Sequence, residues 1–179
     1  MTEFTEVCDS LARILTYPGA DYADRLQRCR IAVGALGSDW GGILQKIDKF
    51  IDAMKDSSTG EMEELYTRTF DINPVSSLEI GWHLHGETYE RGAFLVSMRE
   101  VLRRCSIEES TELPDHLTHV LQAVGRMDPL EASDFIKKNV LKAVNTMLEG
   151  FLGQSNPYEN ILLAVKGLLG LYATSHVGV

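Results

Sequence analysis

Apolar residues recur at three- and four-residue spacing along most of the chain, the period of one buried helix face, with charged residues filling the positions between. Phe4, Val7, Cys8, Leu11, Ile14 and Leu15 form the first such stripe, which Pro18-Gly19 ends. A weaker one, Tyr22, Leu26, Cys29 and Val33, runs up to Gly34 and Gly37. Trp40, Ile43, Leu44, Ile47, Phe50, Ile51 and Met54 make a third, with Ser38 as its expected N-cap. Ser58 followed by Glu61 is a capping-box pattern. It opens a fourth helix with Met62, Leu65, Tyr66 and Phe70 on one face, stopping before Asn73-Pro74.

Two later starts share one signal. Asp128-Pro129-Leu130-Glu131 and Asn156-Pro157-Tyr158-Glu159 each supply an N-cap, a Pro at the first helical position and a Glu at the third. The first launches Ile136, Val140, Val144, Met147, Leu148 and Phe151, and the second Ile161, Leu162, Val165, Leu168, Leu169 and Tyr172. Earlier in the chain, Ala93, Phe94, Met98, Val101, Leu102 and Cys105 form an inward stripe, and after Pro114 so do Leu117, Val120, Leu121 and Val124. The expected fold is all-α, a single domain over residues 1–179 built as a bundle of roughly seven to nine helices.

Residues 74–86 depart from this period, because Leu78, Ile80, Trp82 and Leu84 alternate with Glu79, Gly81, His83 and His85. Alternation predicts a strand, but a lone strand in a helical chain leaves its backbone groups without partners. A short or irregular helix is therefore expected there, and the stretch is a candidate hinge. A flexible hinge would let two copies exchange halves, so the expected state is a monomer with a domain-swapped dimer as a minor population.

Charge narrows the function. The chain carries 26 Asp and Glu against 17 Lys and Arg, and a net charge of -9 repels a phosphate backbone, which argues against nucleic acid as a partner. No apolar run approaches the roughly 18 residues of a membrane span, and the start, Met1-Thr2-Glu3-Phe4-Thr5-Glu6, is acidic, unlike a signal peptide. The expectation is a cytoplasmic protein that is not embedded in a membrane. Cys8, Cys29 and Cys105 are odd in number and widely spaced, and they read as small hydrophobes on helix stripes.

His83-x-His85 and His116-x-x-His119 have spacings that invite a metal, but no Cys or third His is placed to complete either set. The sequence holds no H-E-x-x-H, no G-x-S-x-G and no phosphate-cradling glycine loop. No catalytic residue, metal or cofactor is assigned, and a binding protein is expected rather than an enzyme. The rivals are a small metal- or nucleotide-dependent enzyme using His116 and Asp115, and a helical regulatory or scaffold module.

Three short segments carry the remaining chemistry: Tyr66-Thr67-Arg68-Thr69-Phe70-Asp71, His85 through Tyr89-Glu90-Arg91-Gly92, and Glu112-Leu113-Pro114-Asp115-His116-Leu117. Tyr66 and Phe70, four apart, are either an aromatic core pair or part of a groove. Asp71 is either a turn carboxylate bonded to nearby backbone N–H groups or a rim charge facing a cationic ligand. Glu112, Asp115 and His116 surround a helix start, where the dipole alone favours an acid, yet an Asp beside a His also binds polar ligand groups and changes charge near neutral pH. Arg91 is either a solvated cation or a site residue, and Gly92 is expected to permit close helix packing.

In order and spacing these segments, over residues 64 to 117, resemble the delta-subunit chaperones of respiratory nitrate reductase and their relatives, the redox-enzyme maturation proteins of the NarJ/TorD/DmsD type. The resemblance implies an all-helical protein that binds the N-terminal segment of a molybdenum enzyme's catalytic (alpha) subunit, until the molybdopterin guanine dinucleotide cofactor is inserted and the complex assembles. The client would do the redox chemistry. It further implies that Asp115 and His116 match the Asp-His element associated with signal-peptide binding, and that Tyr66, Phe70, Asp71, His85 and Arg91 lie near the groove. Glu112 and Trp82 complete the expected peptide-binding set. Phe70-Asp71-Ile72-Asn73-Pro74 and Tyr89-Glu90-Arg91-Gly92 are in the style of the nitrate reductase branch. Longer members continue into a C-terminal tail, whose client contacts do not carry over.

Overall fold

The computed structural model describes residues 2–176, and every helix expected from the stripes is there. In chain order they are α1 (Glu3–Ile14), α2 (Tyr22–Ala35), α3 (Gly41–Met54), α4 (Thr59–Tyr66), α5 (Ile80–His85), α6 (Tyr89–Arg104), α7 (Leu117–Val124), α8 (Pro129–Phe135), α9 (Leu141–Glu149) and α10 (Tyr158–Ser175). A π turn, Ile136–Val140, fuses α8 and α9 into one continuous helix, so the architecture is all-α with no strand among the described residues.

The starts follow their caps. Ser58 accepts the Glu61 backbone N–H while the Glu61 carboxylate takes the Ser58 N–H at 2.7 Å, a complete capping box. Asp128 accepts from the N–H groups of Leu130 and Glu131, and Asn156 from that of Tyr158 at 3.0 Å. Ser38 is a correction: it begins a 3₁₀ turn, Ser38–Trp40, makes no capping bond, and α3 starts three residues later. Two successive glycines there leave the chain free to tighten before it settles into the α-helix.

The core is one continuous cluster. α10 carries Ile161, Leu162, Ala164, Val165, Leu168, Leu169 and Ala173, all buried, and its apolar surface is covered by α3, α9 and α8. α1 packs on α2 and α7, and α5 lies on α9 and α6. Cys8 and Cys29 are buried as the stripes require, and burial drives both thiols to high pKa, about 12 for Cys29. Ala93 and Gly92 depart from expectation: Ala93 is exposed, and a Cβ on Gly92 would meet no atom within 4 Å, so that glycine serves no close packing. α6 buries only Met98 and Leu102 fully.

Residues 74–86 satisfy both halves of their pattern. Ile80–His85 is a short helix, and just before it Glu79 forms an isolated antiparallel bridge with His116. The backbone bonds are Ile80 N–H to Asp115 C=O at 3.0 Å and Leu117 N–H to Leu78 C=O at 2.8 Å. The strand-like alternation thus has its partner after all, one residue pair supplied by a segment 37 positions away. Leu78 and Ile80 point into the core.

Candidate functional site

The three segments converge on this bridge. Because its hydrogen bonds flank the Glu79–His116 pair, the two residues occupy a non-hydrogen-bonded position, where opposite side chains lie closest and on the same face. Asp115 and His116 reach different partners, Asp115 the Gly81 backbone N–H and His116 Thr118 and Glu112.

Asp115 turns inward. It has no exposed surface; its Oδ2 accepts the Gly81 backbone N–H at 2.9 Å, and its Oδ1 has no hydrogen-bond partner. A Cβ on Gly81 would sit 2.5 Å from Asp115 Oδ2 and 2.9 Å from the Phe94 ring, so only glycine lets the carboxylate reach the start of α5. Burial raises the Asp115 pKa, and the hydrogen bond from Gly81 and the positive charge of Arg91 oppose the rise. Arg91 is stacked 5.5 Å over the Trp82 ring, and its Nε is buried without a partner. Trp82 donates its indole N–H to the Pro74 carbonyl at 2.9 Å, tying α5 to the preceding loop, while the His85 ring lies 5.4 Å from that of Phe94.

His116 turns the other way. It caps α7, its Nδ1 lying 2.7 Å from the Thr118 hydroxyl and accepting the Thr118 N–H at 3.4 Å, which leaves the proton on Nε2. That Nε2 faces the Glu112 carboxylate at 4.0 Å, beyond hydrogen-bond reach. Only 4% of the residue is exposed, and burial pulls its pKa down to about 4, so the ring is neutral at pH 7. His119, three residues on, makes no metal-like pair with it: its ring spans the loop, 2.9 Å from the Leu113 carbonyl and accepting the Ser110 N–H at 3.3 Å.

Around His116 the charge is negative. Burial raises the pKa of Glu112, and the charges of Glu79 and Asp71 add to it; burial also raises that of Asp71, opposed by a hydrogen bond from the Thr67 side chain and aided by the charge of Glu79. Glu79 was not among the residues expected from sequence. Its signal was present all the same, as the polar position between Leu78 and Ile80 in the alternating stretch. No backbone N–H donates to Asp71 among the described residues, so the turn-carboxylate role is unfilled.

Tyr66 and Phe70 take the core side of their alternative. Each is 4% exposed, the two rings meet edge-on at 5.2 Å, Tyr158 packs on both, and the Tyr66 hydroxyl donates to the Leu15 carbonyl at 2.9 Å. A π turn, Thr67–Asp71, ends α4, carrying Phe70 inward and leaving Asp71 at the surface. The exposed apolar residues in these stretches of chain are instead Ile72, Val75 and Leu113, by 71%, 52% and 41%. The clefts of about 600 Å³ between α1 and α2 and about 920 Å³ between the ends of α1 and α10 are lined by other residues. Among the described residues no three His, Cys, Asp or Glu side chains are placed to hold a metal ion, and no helix is long and apolar enough to cross a membrane.

Residues 34–158 match the family described as nitrate reductase delta subunit. The chain is also similar to two proteins named nitrate reductase molybdenum cofactor assembly chaperone NarJ, from Escherichia coli K12 and from Escherichia coli O157:H7, at 25% identity over 128 residues in each case. The aligned stretch covers 71% of this chain and 54% of each relative, so the chain spans about half the length of the curated relatives it matches.

Proposed function

Because the chain belongs to the nitrate reductase delta subunit family, we propose that it is an assembly chaperone for a molybdenum enzyme, binding the N-terminal segment of the catalytic subunit while the cofactor is inserted. It acts as a binding protein, and the chemistry belongs to the client. The observation that carries this reading is the exposure of Ile72, Val75 and Leu113 on the same stretches of chain as Asp71 and Glu112. An amphipathic peptide laid there buries apolar side chains on the first set and brings its cations to the second. His116 offers its unpartnered Nε2–H to the peptide. Tyr66 and Phe70 support the site from beneath, and Asp115, with Arg91 and Trp82, fixes the position of α5 behind it.

Calorimetry with a synthetic peptide of the first twenty or so residues of a nitrate reductase catalytic subunit tests this. Binding should show a negative heat-capacity change from apolar burial. His116→Ala should weaken it by about 1–3 kcal/mol with the fold intact, as loss of a buried hydrogen bond does. Absence of any binding to client N-terminal peptides removes the chaperone reading, whereas full affinity in His116→Ala removes only the role of His116.

A further inference from the structure

We propose that His119 is a positioning residue of the candidate site: held as its Nδ1–H tautomer, it clamps the loop between α6 and α7 and so places Glu112 and Leu113. The proposal rests on the peptide-binding reading and assigns the shape of that surface to a residue outside the recognised segments.

The loop has little else to hold its middle. Residues 108–113 are all exposed, so no apolar burial fixes their backbone, and a ligand meeting a free loop has to remove its entropy on binding. The loop is tied at its ends, where the Ile107 N–H reaches the Leu102 carbonyl at 2.9 Å and the Asp115 carbonyl takes the Ile80 N–H at 3.0 Å. Between them, among the described residues, the one side chain outside the loop that bonds the backbone of residues 108–113 is that of His119. It stands on α7, whose Leu117, Val120, Leu121 and Val124 are buried, and is itself 3% exposed, so the core fixes the ring independently of the loop. A histidine serving the core alone would find its partners among the helices, whereas both ring nitrogens of this one are directed to the exposed loop.

The tautomer follows from those partners. The Leu113 carbonyl, 2.9 Å from Nδ1, can only accept, so Nδ1 carries the proton and Nε2 is bare. Nε2 then accepts the Ser110 N–H at 3.3 Å and the Ser110 hydroxyl at 3.2 Å. With its proton turned to the ring, the hydroxyl oxygen accepts the Glu112 N–H at 3.1 Å. One nitrogen thus holds Leu113 directly, and the other holds Glu112 through Ser110. His116, whose Nδ1 accepts from Thr118, has the opposite tautomer and a separate task.

Ring-nitrogen NMR on the full chain reads the tautomer: His119 should carry its proton on Nδ1 with Nε2 bare, and the reverse pattern overturns the proposal. His119→Phe keeps a buried ring and removes both bonds. In that variant the amide order parameters of Ser110, Thr111 and Glu112 should fall from about 0.85 to below about 0.6. The client peptide above should bind about tenfold more weakly, because it must now order the loop itself. His119→Gln, whose amide oxygen again accepts from Ser110, should recover most of both losses. Should His119→Phe fail to fold, Ser110→Ala, at an exposed position, breaks the link to Glu112 alone and should give the same changes in smaller measure. Unchanged loop order, unchanged affinity in a variant whose loop has lost its order, or no recovery in His119→Gln overturns the proposal. If the parent binds no client peptide the chaperone reading falls, and the tautomer and the order parameters decide the clamp without it.

Discussion

At the scale of single residues, His116 is the group whose position has a measurable cost. Its folded pKa of about 4 lies below the unfolded value of 6.5, so the folded state resists a proton that the unfolded state accepts. The stability this represents is complete above pH 6.5 and is lost as pH falls toward 4, by about 3 kcal/mol for a shift of that size. Asp115 and Glu112, whose values are raised, work in the other direction and stabilise as pH falls. The His116 contribution is isolated by comparing urea unfolding of the parent and His116→Gln at pH 7.5 and pH 5. The parent should lose more stability on acidification than the variant does, and parallel pH profiles would show that the imidazole is not held neutral. The Asp-His pair was legible in the sequence as a helix start, but the opposed directions of its side chains were not. They depend on the extended backbone of His116 between a turn and α7, held by the isolated bridge to Glu79.

At the scale of elements, α5 is held by a single close approach. Its six residues are too few for a stable helix in isolation, and its start is anchored by Asp115 on the Gly81 N–H. Gly81→Ala would press a methyl group into the carboxylate and the Phe94 ring and should cost about 1–3 kcal/mol, the usual range for overpacking. Gly92→Ala, on open helix surface, should instead stabilise by up to about 1 kcal/mol. Thermal unfolding of the two variants checks both signs, and a neutral Gly81→Ala would mean that α5 is not anchored there. Caps at Ser58, Asp128 and Asn156 were readable because each acts within four residues of itself. The π turns at Thr67–Asp71 and Ile136–Val140 were not, since each still spaces its buried pair, Tyr66 with Phe70 and Ile136 with Val140, by the four residues of an ordinary helix.

At the scale of the whole molecule, the charge of -9 gives the proposed peptide site a supporting field, because a net negative surface attracts a cationic segment before contact. Raising ionic strength to about 0.5 M shortens the Debye length to roughly 4 Å and should slow association of a basic client peptide markedly, while dissociation changes less. Stopped-flow measurement separates the two rates, and an association rate indifferent to salt would remove the electrostatic part of the account.

The sequence by itself determined the helices, their faces and most of their ends, because stripes and caps are interactions between residues three or four apart. It also carried the family, in three short segments. Tertiary structure alone decided that Tyr66 and Phe70 lie beneath the surface, that Gly81 rather than Gly92 is the glycine the packing requires, and that Glu79 joins Asp71, Glu112 and His116. Those acids are separated by up to 41 positions along the chain. Only the backbone bridge between residues 79 and 116 brings them together, and no local period records such a pairing.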